Sequence, residues 1–118
     1  KCYLARSCVW HTVTPVILPG HNDHSPAKTV KLIQKALAQS GIEQRCEIED
    51  WGAVPYVKNC LTAHKYDRNK RRIGYYRPDH LDSLTMLHMR LRFERSYPGP
   101  LVVGAGRHCG FGLFAAAE

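Results

Sequence analysis

No run in this chain approaches the roughly 20 consecutive apolar residues of a bilayer-spanning helix, so no membrane span is expected. No C-x-x-C pair occurs among Cys2, Cys8, Cys46, Cys60 and Cys109. That odd set fits neither a zinc ribbon nor a disulfide scaffold, and it reads as reduced thiols in a cytosol. There is no Gly-Lys-Ser/Thr step, which excludes a Walker-type phosphate loop. Acidic residues are scarce: 10 Asp+Glu stand against 17 Lys+Arg, a formal net charge of +7. The chain opens with neither Met nor a signal-peptide pattern, so a fragment of a longer cytoplasmic protein is expected.

What is present is one domain's worth of sequence. Its 118 residues, 44% hydrophobic and 23% charged, are ordinary globular composition with room for a single core. The positive charge is uneven. Residues 1–63 carry seven Lys/Arg against five Asp/Glu, and residues 64–118 carry ten against five. A basic half points to a polyanion, most often nucleic acid, or else serves solubility alone. His64 to Arg77 interleaves Lys65, Arg68, Lys70, Arg71 and Arg72 with Tyr66, Tyr75 and Tyr76. That mixture suits RNA, whose phosphates take cations and whose unpaired bases stack on rings. It equally suits a solvated loop.

Val9 to Leu18 is rich in β-branched residues and reads as a strand, with Pro15 marking an edge or a bulge. Ser25 is a good N-cap, Pro26 a good first helical residue and Gly41 a stop. Between them Val30, Ile33, Ala36 and Leu37 recur at helical spacing. Cys46 to Val57 is a weaker strand, interrupted by Gly52 and Pro55. Leu87 to Glu94 alternates: Leu87, Met89, Leu91 and Phe93 face a core, with His88, Arg90, Arg92 and Glu94 opposite. Tyr97 to Pro100 reads as a turn. Leu101 to Val103 then begins a strand that Phe111 to Ala115 completes.

The order β, α, β, basic loop, β, turn, β fits an α+β ferredoxin-like sandwich. A second helix has only Pro78 to Met86 to form from. The last strand is interrupted by Gly104-Ala105-Gly106-Arg107-His108-Cys109-Gly110-Phe111-Gly112. Too little chain follows for a dinucleotide-binding unit. Two readings stay open: a loop whose amides, Arg107 and His108 close on an anion, or a tight turn before a strand. His21-Asn22-Asp23-His24 holds metal-ligating types, but no partner pair stands at ligand spacing, so no metal is expected.

Several pieces together resemble CRISPR-associated RAMP proteins. They are the Trp10–Val16 strand, the Leu18–His21 turn, the His88–Phe93 basic strand, the Gly99–Leu101 step and the Gly104–Phe114 loop. Within that family the likeness is greatest to the repeat-processing endoribonuclease half of the fused protein of type I-U/I-G systems. It extends over about Val9 to Phe114. It implies a ferredoxin-like (βαββ-type), RRM-like RNA-binding sandwich with a C-terminal glycine-rich loop, forming the C-terminal part of a prokaryotic fusion protein. Relatives often carry two such units, and this chain has room for one.

The resemblance implies cofactor-free, metal-independent cleavage of hairpin CRISPR repeat RNA. The ribose 2′-OH attacks the adjacent phosphorus and leaves a 2′,3′-cyclic phosphate. Such chemistry needs a base, an acid and cations around the phosphate, and histidine suits either proton role. His21 and His108 are the leading candidates, followed by His24. His11 and His88, inside strands, read as structural. Arg107 with Gly104, Gly106 and Gly110 would hold the scissile phosphate. Arg90, Arg92, Lys70, Arg71 and Arg72 would hold the repeat stem. The same grip without cleavage, in a subunit of an effector complex, is the alternative. A domain binding an acidic metabolite or protein is a third reading.

Overall fold

The computed structural model describes residues 6–57, 60–63, 81 and 83–117. The elements are β1 (Arg6–Thr12), β2 (Val16–Ile17), α1 (Pro26–Gln39), β3 (Cys46–Gly52), β4 (Met86–Pro98) and β5 (Phe114–Ala116). They form a small α+β domain: one antiparallel sheet and, among the described residues, one α-helix.

Pro15 divides the first β-rich stretch as its missing N–H dictates. Between β1 and β2 the chain turns to a different partner. Val13 N–H donates to the Leu113 carbonyl at 2.8 Å, and the Pro15 carbonyl accepts from Gly112 N–H at 2.9 Å. The two strands then follow one another along the same edge of β4, Trp10 opposite Leu91 and Val16 opposite Leu87. β3 takes the other edge, Ile48 opposite Leu91, and β5 lies outside β1, Thr12 opposite Phe114. β1 and β3 are each antiparallel to β4, hence parallel to one another, and α1 is the crossover between them.

The helix forms where its signals lie. Ser25 Oγ accepts from Lys28 N–H at 3.3 Å, Pro26 is the first helical residue, and Gly41 follows the end at φ +80°. Its buried stripe is Thr29, Ile33, Ala36 and Leu37, with Thr29 where the spacing placed Val30. The stripe closes over Trp10, Met89, Leu91, Phe93 and Phe114, the centre of the core. Trp10 is fully buried and still satisfies its indole N–H, which donates to the Ser7 carbonyl at 2.9 Å.

β4 keeps the expected alternation at Met89, Leu91 and Phe93 but not at His88, which is completely buried. Residues 60–63 come back to the sheet at this point, and the Leu61 carbonyl lies 2.9 Å from His88 Nε2. A carbonyl can only accept, so Nε2 carries the proton and Nδ1 accepts from Thr12 Oγ1, 2.9 Å away. Burial holds this imidazole below its ordinary range, with the Leu61 contact partly opposing.

A pH dependence follows. Histidine in an unfolded chain titrates near pH 6.5. Below that the unfolded state takes up the proton first, and stability falls as pH falls toward the folded value. Above it the contribution of neutral His88 is complete. The melting temperature of the parent should therefore drop more steeply between about pH 7 and 5 than that of His88→Gln. Parallel slopes would mean that His88 does not set the dependence.

Of the stretch Pro78 to Met86, the only one left for a second helix, residues 78–80 and 82 lie outside those described. Of the remainder, Leu81 is in a 3₁₀ turn, Ser83 is in a turn, Leu84 is in a bend and Met86 already belongs to β4. β4 also runs through the expected Tyr97–Pro100 turn as far as Pro98.

Candidate functional site

An open polar cavity lies at the entry to α1. The His21–His24 loop, Ala53, Ala63 and residues 83–87 line a cavity of about 730 Å³. His21 and His24 are both exposed. The loop is knitted to the start of β4: Leu18 N–H donates to the Thr85 carbonyl at 2.8 Å, and Thr85 N–H to that of Gly20 at 3.3 Å. Asp23 and His24 both adopt the left-handed region, at φ +51° and +59°. The Lys28 ammonium hydrogen-bonds Asp23 and holds its carboxyl below the usual range, and both imidazoles act in the same direction. Two imidazoles, a carboxylate and the Ser83 and Thr85 hydroxyls thus share one open cavity.

The glycine loop lies elsewhere. Its arms are paired by the Val102–Leu113 bridge and by Val103 N–H to the Gly112 carbonyl at 3.0 Å. At its tip the main-chain donors turn inward. Ala105 N–H reaches the Ile17 carbonyl at 2.8 Å, Cys109 N–H the Gly106 carbonyl at 2.9 Å, and Gly104 N–H reaches Ser40 Oγ at 3.2 Å. Gly104 and Gly106 are buried, and a Cβ on either would stand 2.8 Å from a side-chain carbon of β2, Val16 or Ile17. Their close approach is to the domain's own interior, the Ile17 carbonyl and Val16 side chain at Gly104 and the Ile17 and Phe111 side chains at Gly106. Gly110, at φ +86°, is exposed with open space beside it. Arg107, half-buried, donates from Nη1 to the Gly104 carbonyl at 3.0 Å. His108 and Cys109 are exposed on a short 3₁₀ helix, Arg107–Cys109.

His21 and His108 are therefore not gathered into one pocket. His108 is not among the residues that line the cavity of His21 and His24. The loop is bonded both to Ser40, after the C-terminal end of α1, and to Ile17, four residues before His21.

Arg90 and Arg92 are joined on the sheet. Both donate from Nε to Glu49, at 3.0 and 2.6 Å, and together they hold its carboxyl below the usual range, Arg92 first. The β3 bulge between Ile48 and Asp50 accommodates Glu49, and Glu47 and Asp50 stand opposite Arg92 and Arg90. The expected row of cations is thus a mixed-charge network. Asp50 also accepts from the Tyr56 hydroxyl at 2.8 Å, and burial, then this contact, raises the Tyr56 pKa. The Tyr56 ring stacks on His11, 5.8 Å between centroids, so His11 is a packed strand residue as expected.

Lys70, Arg71 and Arg72 lie outside the described residues, as do His64 and His80. Among the described residues no three His, Cys, Asp or Glu side chains converge as a metal site, and no helix is long and apolar enough to cross a membrane. Sequence reasoning passed over Asn22, Glu49 and Thr85. A signal existed for Asn22, since Asn readily bonds the backbone two residues on. Glu49 showed only as one acid of three in Glu47-Ile48-Glu49-Asp50. No family model, curated protein or solved structure matches the chain.

Proposed function

We propose that this chain is a ferredoxin-like RNA-binding domain of the CRISPR-associated RAMP type, cleaving repeat RNA at the histidine cavity without a metal. The observation that carries this reading is the pairing of exposed His21 and His24 in one cavity. Cleavage by the 2′-OH needs one group to take its proton and another to protonate the leaving 5′-oxygen. Two imidazoles on one short loop supply both. His24 thereby takes the second proton role, which sequence reasoning gave to His108. The strand order β5-β1-β4-β3, with α1 crossing from β1 to β3, supports the ferredoxin-like assignment. Ala63 and Ser83, either side of the basic Tyr-rich segment, both line the cavity. Cations of that segment are the natural grip for a hairpin stem, and other subunits of a prokaryotic, cytoplasmic effector complex are the natural partners.

The absence of His108 from the cavity that His21 lines favours a second reading, the same domain as a non-catalytic RNA-binding subunit. One assay separates them. Incubated with a labelled repeat hairpin in EDTA, the enzyme yields a 5′ fragment ending in a 2′,3′-cyclic phosphate, and the binding subunit yields intact RNA.

In either case log affinity should fall linearly with log salt as phosphate contacts release counterions. Replacing Lys70, Arg71 and Arg72 with Ala should make that slope shallower by up to about one unit per lost contact. An unchanged slope would reduce the cluster to a solvated loop, and a flat salt response in the parent would remove RNA altogether.

A further inference from the structure

We infer that Asn22 is the positioning residue of the histidine cavity, holding His21 and His24 in a loop conformation they would not otherwise keep. The inference rests on the reading of that cavity as the site of RNA cleavage. Asn22 uses its backbone and its side chain in four directions. Its N–H donates to Thr85 Oγ1 at 3.2 Å, anchoring the loop to the start of β4. Its carbonyl accepts from Ser25 N–H at 2.8 Å, anchoring it to the helix cap. Oδ1 accepts from His24 N–H at 3.2 Å, and Nδ2 donates to Thr29 Oγ1 at 2.9 Å.

The chemistry around it fixes which way the amide points. Thr29 Oγ1 gives its own proton to the Ser25 carbonyl at 2.8 Å, so toward Asn22 it can only accept. That calls for an NH₂ group. His24 N–H, on the other side, calls for an oxygen. Only a carboxamide offers both from one short side chain.

The loop needs such a clamp. Asp23 and His24 are consecutive non-glycine residues at positive φ. The left-handed region is unfavourable for residues with a Cβ, and they stay there only where surrounding contacts over-determine the geometry. The Oδ1 contact is made to the backbone of the second strained residue. Without it the loop is free to leave the left-handed region, and both imidazoles swing with it. A displacement of about 1 Å is enough to cost on the order of 100-fold in rate.

The test uses Asn22→Ala in the whole chain, with three readouts. Melting should show a folded domain. RNA affinity should be unchanged, while cleavage at saturating hairpin RNA falls on the order of 100-fold. The heteronuclear ¹⁵N NOE of the Asp23 and His24 amides should drop, reporting motion the parent lacks. A rate equal to the parent's, a rate loss matched by an equal affinity loss, or amides as ordered as before would each overturn the inference. If Asn22→Ala does not fold, isosteric Thr29→Val removes the partner of Nδ2 together with the hydroxyl's own bond to the Ser25 carbonyl, and leaves the Asn22 side chain in place. It is then expected to give the same split between rate and affinity, and its absence counts equally against Asn22. If the parent leaves RNA intact, the proposed cleavage fails. The NOE alone then decides whether Asn22 locks the loop.

Discussion

Gly112→Ala is expected to abolish the folded domain or to lower its stability by more than about 4 kcal/mol, the range reserved for single changes with a severe named cause. Gly112 has φ +73°, and a Cβ there would overlap the Val103 carbonyl oxygen. The neighbour is backbone, so no rotamer change relieves the overlap. Moving it would break the pairing that joins the arms of the glycine loop and stitches them to Val13 and Pro15. Gly104→Ala should fail for the same reason. Its φ is +103°, and its Cβ would lie 2.7 Å from the Ile17 carbonyl oxygen.

Gly110 is the control. It shares the positive φ, at +86°, but nothing lies within 4 Å of its Cβ position. Gly110→Ala should cost only the conformational penalty, about 1–2 kcal/mol. Urea midpoints of the three variants measure this directly. Equal losses at Gly110 and Gly112 would mean that φ alone matters and that the inward packing of the loop is wrong. Gly110 is also the glycine at which the loop's contact with RNA can be tested. Gly106→Val would report on folding first, because its Cβ position is 2.8 Å from the Ile17 side chain and 2.9 Å from that of Phe111.

These glycines show what a sequence conceals. Their density was plain, but not whether the close approach served a ligand or the protein's own chain. That depends on where β2 lies, and β2 lies there because Pro15 redirects the strand, a consequence of long-range pairing. Local chemistry was easier to read. Ser25, Pro26 and Gly41 delimited the helix because capping acts within a few residues. Met89, Leu91 and Phe93 were legible because alternation is a property of one strand. His88 was not, because residues 60–63 cross back to the sheet and set the Leu61 carbonyl against it. Arg90 and Arg92 looked like free cations for a similar reason: the acid that engages them arrives on another strand, at a bulge. In the histidine loop, residue types were visible and distances were not. His24 ranked third in sequence, yet it is the residue that shares a cavity with His21.

His21→Ala is expected to slow cleavage of a repeat hairpin by about 100- to 10,000-fold at saturating RNA, the usual range for loss of one acid or base. Affinity should hold, because the alanine removes no phosphate contact required by the salt-dependent grip. Among the described residues that line the cavity of His21 the one other imidazole is His24, which on this reading already performs the other proton transfer. His24→Ala should therefore fall within the same range. The double variant should be little slower than either single one, since residues that act as a unit are not additive. His108→Ala should leave the rate near the parent's. His108 does not line the cavity of the other two, and the N–H groups of Gly104, Ala105, Arg107 and Cys109 are spent within the domain. Single-turnover rates for the parent and these variants, each measured beside its melting curve, give the comparison. A severe loss at His108 with none at His24 would move the chemistry to the glycine loop. Equal and parent-like rates in all of them, with RNA still cleaved, would take it away from histidine.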